Sequence, residues 1–220
     1  MNYPSGMTPS RSPGSRQRLK PEQRREQLLA TATILTASGG LDRITMAEIA
    51  AAAGVSEGLL FYYFPTKRDL TVALVQRSAL RLMTALQTVP GGTPRQQLLG
   101  ALDAYLTHVE QDSVSWQVLL NSSQDSAVQE IHREVEQASF GLLCQALGAE
   151  TLPPALTLVL DGWLQFEQAV SSKWLEDSLL PREHVITLLA GAFLGAAQAV
   201  AAIDPTCAAL LRPLLEDSAS

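Results

Sequence analysis

Three sets of residues in this 220-residue chain carry side chains able to do specific chemistry. The first is Thr45, Ser56, Glu57, Tyr62 and Lys67, which bring two hydroxyls, a carboxylate, a phenol and an ammonium into one short stretch. The second is the run from Trp163 to Trp174, where two of the chain's three tryptophans and the carboxylate of Glu167 fall within twelve positions. Spacings of three and four put Trp163, Phe166, Val170 and Trp174 on one helical face, with Glu167 beside it. Such a face is either core packing with one hydrogen-bonded acid, or the wall of an apolar ligand pocket that also recruits Tyr105, Trp116 and Phe140. Partial burial of Glu167 is expected to raise its pKa or to demand a donor. The third set, His108, His132 and His184, is scattered without HxxxH or HExxH spacing, and predicts no metal site. No GxSxG elbow, phosphate-cradling glycine loop or recognisable pair of catalytic acids is present. The expectation is a binding protein rather than an enzyme, with no catalytic residue and no cofactor.

The elements that must position these residues read as helices. Pro21 suits a first turn, and Leu28, Ala32 and Leu35 then recur at helical spacing until Gly39-Gly40 stop the segment. Thr45 followed by Glu48 forms a capping box that opens a short helix through Ala53, and Gly54 makes the turn. Ser56 caps the next short helix, which ends near Phe64-Pro65. Thr66 with Asp69 starts another, whose apolar positions Leu70, Leu74, Val75, Leu82 and Leu86 run towards Val89. Pro90-Gly91-Gly92 punctuate, Thr93-Pro94 begin again, and further helices are expected near 114–121, 125–147, 154–175, 182–203 and 206–215. No strand alternation or internal repeat is evident. The fold class is all-α, with nine or ten helices.

The most specific signal is TMAEIAAAAGVSEGLLFYYF, Thr45 to Phe64: two short helices meeting at Ala53-Gly54-Val55. On shape alone this is an ordinary helical corner or a helix-turn-helix. The next residues, Phe61-Tyr62-Tyr63-Phe64-Pro65-Thr66-Lys67-Arg68-Asp69-Leu70, closely resemble the signature of the TetR family of transcriptional regulators. Thr45, Ile49-Ala50, Gly54-Val55-Ser56 and Gly58 also stand where that pattern expects them. The resemblance implies a helix-turn-helix DNA-binding domain over 21–66 and a larger helical domain over 67–220 for effector binding and dimerisation. It also implies a cytoplasmic homodimer on a double-stranded DNA operator, most often a repressor released by a small molecule. Thr45, Lys67 and Tyr62 are then the expected phosphate contacts, through hydroxyl, point charge and phenol. Ser56, Glu57, Gly58 and Leu59 open the recognition helix, where Gly58 allows close approach and Leu59 can meet a thymine methyl. Phe61 stands where many relatives carry tyrosine, so a phosphate hydroxyl is missing there. Two rival readings use the same features: an architectural DNA-binding protein without ligand control, and a small-molecule carrier on the same fold.

In the C-terminal part, Val185 to Ile203 is a 19-residue run broken only by Thr187 and Gln198. Its length suits a membrane span, but it is alanine-rich and lacks aromatic or basic anchors, so a helix buried on all sides is expected and no membrane partner. Gly191, Gly195 and Ala199, spaced by four, let backbones approach, as in a two-fold four-helix dimer interface; an internal core helix is the rival. The expected effector is lipophilic, possessing an aromatic or acyl part, and its pocket mostly apolar.

Charge divides the chain in the same way. The net −6 hides a basic first third: residues 1–70 hold nine Lys/Arg and six acids, the rest seven and sixteen. That asymmetry fits a basic reading head on an acidic body. Residues 1–20, rich in Pro, Ser, Gly and Arg, lack the apolar stretch of a secretory signal and read as a flexible basic arm along phosphates or a minor groove. Cys144 and Cys207 lie far apart without CxxC spacing, which suggests reduced thiols.

Overall fold

The computed structural model describes residues 19–36, 40, 43–121, 125–177 and 180–216. Most of the expected basic arm and Gly39 of the expected stop signal lie outside the described residues. Among the described residues there are ten helices and no strand: α1 (Pro21–Thr36), α2 (Met46–Ala52), α3 (Glu57–Tyr63), α4 (Lys67–Gln87), α5 (Pro94–Gln111), α6 (Ser113–Asn121), α7 (Ser126–Leu147), α8 (Pro154–Asp177), α9 (Arg182–Ile203) and α10 (Pro205–Glu216).

Local chemistry explains most of the boundaries. Complete capping boxes open α2 (Thr45 with Glu48), α4 (Thr66 with Asp69) and α5 (Thr93 with Gln96). In α5 the cap is followed by Pro94 at the first helical position, where no N–H is missed. Asp125 caps α7 by accepting from the amides of Ala127 and Val128, and that helix ends on Gly148 at φ 65°, a left-handed cap. Gly54, at φ 66°, turns the chain between α2 and α3.

Packing builds two regions. A head forms where α1, α2 and α3 bury Leu28, Leu29, Ile49, Leu60 and Phe64 together with Leu70 and Leu74 of α4. In the body, Val75, Leu82 and Leu86 of α4 join α5, α6, α7 and α9, and a second body cluster unites α8, α9 and α10 around Leu156, Phe193 and Leu211. Helix α4 therefore belongs to both regions. Arg77 on α4 reinforces the junction, donating to Glu26 at 2.8 Å and to the Leu29 carbonyl at 3.2 Å on α1. Both Cys144 and Cys207 are free thiols.

Helix α9 is long and apolar enough to cross a membrane, with mean hydropathy 1.9; the expected burial on all sides is not met within one chain, which leaves open the side expected at a dimer interface. Val185, Leu189, Phe193, Ala197 and Val200 face the body core, whereas Gly191, Gly195 and Ala199 lie exposed with Leu188 and Ile203. An apolar sequence cannot distinguish which of its sides the same chain covers.

Candidate nucleic-acid interface and body cavity

Helix α3 starts on Ser56, whose hydroxyl accepts from the Leu59 amide at 3.2 Å. From that start Leu60 turns fully into the head core, Leu59 is half-buried, and Glu57, Gly58, Phe61 and Tyr62 face solvent. Gly58, Phe61 and Tyr62 share one side of the helix, and a Cβ at Gly58 would meet nothing within 4 Å. Packing within the chain therefore gives no reason for glycine there, and the backbone stays open to a close approach. Phe64 anchors the C-terminal end of α3, buried beneath the guanidinium of Arg25 at 5.3 Å from its ring centroid. Lys67 is the first residue of α4, close in sequence to the exposed Tyr62. Thr45 is exposed at the start of α2, but its hydroxyl donates to Glu48 at 2.8 Å. The Glu48 carboxyl is held below its usual range by the Thr45 amide and hydroxyl. A phosphate at Thr45 must compete with that cap, the same capping box that the Thr45–Glu48 spacing announces in the sequence.

The body encloses a cavity of about 300 Å³, walled by α4, α5, α6, α7, α8 and α9 with the α4–α5 connection and α10. Tyr105, Trp116, Trp163 and Glu167 line it. Tyr105 is fixed by a 2.6 Å hydrogen bond between its hydroxyl and that of Ser171, and by an edge contact with Trp116 at 5.3 Å. Trp163 donates its indole N–H to the Leu189 carbonyl at 3.0 Å and packs on Phe193 at 5.0 Å, which sets its ring as wall. The Trp116 indole N–H is buried with no hydrogen-bond partner among the described residues. Glu167 is 8% exposed, and burial pushes its pKa up to about 8. Tyr105 is also pushed up, first by burial and then by the Glu167 charge.

Comparison with known proteins agrees with this architecture. Residues 28–74 match the family of bacterial regulatory proteins called tetR, and residues 94–196 match a tetracyclin repressor-like C-terminal domain family. A tetR-family transcriptional regulator from Streptomyces coelicolor has a similar crystal structure, with TM-score 0.83 and 28% identity, over 90% of this chain and 91% of that one. The chain belongs to the TetR family of DNA-binding transcriptional regulators. Among curated relatives, the transcriptional activator FasR of Mycolicibacterium smegmatis is 32% identical over 107 residues, 48% of this chain and 49% of that protein. The nucleoid occlusion factor SlmA of Pasteurella multocida is 38% identical over 66 residues, 30% of this chain and 33% of that protein. The match thus spans about half the length of the first of these relatives and a third of the second.

Within this TetR-family chain, three of the residues expected at the pocket lie elsewhere. Phe166 is 40% exposed on the outside of α8, on a side that also presents Leu158 and Gly162. Phe140 packs into the α8–α10 cluster rather than the cavity wall. Trp174 lies a helical turn beyond Ser171 and donates its N–H to the Leu180 carbonyl at 2.9 Å. The cavity recruits instead Leu82 and Leu86 from α4, Glu136 and Ser139 from α7, Gln168 from α8 and Phe193 from α9. Their sequence signal was the ordinary amphipathic repeat, which a cavity wall shares with a filled core. Among the described residues no cluster of three His, Cys, Asp or Glu could hold a metal.

Proposed function

We propose that this protein is a homodimeric, cytoplasmic repressor that leaves its DNA operator when a small, mainly apolar effector occupies the body cavity. Helix α4 is the observation that carries this reading: Leu82 and Leu86 line the cavity while Leu70 and Leu74 lie in the head core under α3. An occupant of the cavity therefore touches the same rigid helix that sets the attitude of the DNA-facing surface. Dimerisation is supported by the uncovered apolar sides of α8 (Leu158, Gly162, Phe166) and α9 (Leu188, Gly191, Gly195, Ala199), since those helices pack together and a second copy can close a four-helix bundle. Two copies of α3 then enter successive major grooves about 34–36 Å apart. Thr45, Tyr62 and Lys67 contact phosphates, with Ser56 and Phe61 at their edges, while Glu57, Gly58 and Leu59 face the bases. An effector lowers operator affinity only by as much as it prefers the non-binding state; a hundredfold preference is worth about 2.7 kcal/mol.

The similarity to a nucleoid occlusion factor favours a second reading, an architectural DNA-binding protein without ligand control. Selection of random duplexes by the purified protein at near-physiological salt separates the two. An enriched palindrome with half-sites about one turn apart supports the operator reading. Binding without a motif supports the architectural one, and a folded dimer that retains no DNA at any salt points to a carrier.

A further inference from the structure

The charges around the body cavity are all of one sign. Among its lining side chains Glu136 and Glu167 are acidic, and no Lys, Arg or His is present. Several acids elsewhere find bases: Asp125 pairs with Arg68 at 2.8 Å, Glu26 with Arg77 at 2.8 Å, and Asp103 with Arg182 at 2.8 Å. Glu167 does not. Its side chain is buried, and no described residue gives its carboxyl a hydrogen bond. An unpaired acid in an apolar wall is costly to bury, and the cost is recovered only when a partner arrives. The same wall carries the rings of Tyr105, Trp116, Trp163 and Phe193, and ring faces attract cations.

We propose that the cavity takes a lipophilic organic cation, an amine or quaternary ammonium whose charged head pairs with Glu167 beside the aromatic rings and whose apolar part fills the aliphatic wall. This rests on the reading of the cavity as the effector site and names the effector's class. An anionic lipid would hold Glu167 in its protonated form and bring its charge towards Glu136, with no Lys or Arg on the wall to pair with it. A neutral ligand would use Glu167 only as a hydrogen-bonding acid and forgo the charge pairing. The unpartnered Trp116 N–H adds a donor for an oxygen on the same molecule.

Proton balance gives the proposal a distinct signature. With its pKa at about 8, Glu167 is mainly protonated at pH 7 in the empty cavity. Pairing with a cation requires the carboxylate, so binding releases that proton to solvent, and cation affinity rises with pH towards 8 and beyond. The other titratable groups at the cavity are Tyr105 on α5, raised by burial, and Glu136 on α7, which has His132 at 3.8 Å. The lining residues of α4, α6 and α9 contribute none.

The test compares decylammonium, decanol and decanoate, equal in chain length and differing in head charge, below micelle formation and with the full chain. Tryptophan fluorescence reports binding, because Trp116 and Trp163 line the cavity, and calorimetry in two buffers reports the proton. Decylammonium is expected to bind at least about tenfold more tightly than decanol, with decanoate weakest and with release of close to one proton at pH 7. Glu167→Gln should weaken decylammonium roughly 30-fold or more while leaving decanol within about twofold, and Glu136→Gln should have a smaller effect. The decanol control shows that the variant cavity is intact. Equal or tighter binding of decanol or decanoate overturns the cation and leaves the effector site standing. Undiminished decylammonium binding to Glu167→Gln overturns the pairing. Failure of all three probes to bind overturns both the cation and the effector reading of this cavity.

Discussion

The head and the body are built from the same kind of helix, yet they bury different things. In the head, the helices close around Leu28, Ile49, Leu60 and Phe64, their caps face solvent, and the buried Arg77 at the junction with α4 is held by Glu26 and the Leu29 carbonyl. In the body, longer helices leave a 300 Å³ cavity and place a carboxyl without a described partner on its wall. A filled core gives one rigid shape. An unfilled one keeps free energy in reserve for whatever completes it. The contrast assigns a filled apolar core to the part facing DNA, and a cavity with an acid on its wall to the part remote from it.

Five substitutions sharpen that contrast. Phe64→Ala should be the most damaging, removing about 3–5 kcal/mol from the head because a buried ring with no neighbouring space leaves a hole. Thermal unfolding followed with DNA-binding assays should show loss of binding at temperatures where the body remains helical. Glu167→Gln should do the opposite and stabilise the protein above neutral pH, by about 1–4 kcal/mol near pH 8. The native pKa of Glu167 is raised to about 8, above its unfolded value. The stability gained from holding that proton is full below the unfolded pKa and is lost as pH rises through about 8. Denaturant melts of both proteins from pH 4 to 9 should therefore converge at the acid end and diverge at the basic end.

Thr45→Ala comes next, at about 1 kcal/mol for the lost cap of α2, with weaker operator binding measured alongside. Lys67→Ala should change stability least, weakening binding to all duplexes and flattening the salt slope by about one. A Leu59 substitution is its control, altering base preference at one position instead. If both variants changed random-duplex affinity equally, the division between phosphate and base contacts would fail.

How legible each region was in sequence follows from the range of its determinants. Helix starts depend on residues three apart, so Thr45 with Glu48, Thr66 with Asp69 and Thr93 with Gln96 announced α2, α4 and α5 directly. The head core depends on residues almost as close in sequence, because Ile49, Leu60 and Phe64 are brought together across the turn at Gly54. The cavity was readable only where a large aromatic or an acid stood out, as at Tyr105, Trp116, Trp163 and Glu167. Phe166 and Trp174 share a helical face with Trp163 by spacing, but α8 touches several neighbours and that face is divided between solvent, core and cavity. A void between helices is a property of their separation, which no local pattern encodes. The exposed side of α9 was marked in sequence only by the four-residue spacing of Gly191, Gly195 and Ala199, because the helix is apolar all round, whichever molecule covers it.

Helix α4 runs for 21 residues, from the head core to the cavity wall. At 1.5 Å per residue that is an arm of about 30 Å, and a tilt of about 5° at one end carries the other through roughly 2.6 Å. A displacement too slight to disturb the packing beside the cavity becomes, at the far tip, comparable to the spacing between stacked base pairs. The gearing is geometric: an arm of that length turns a small angle at one end into most of a base-pair step at the other.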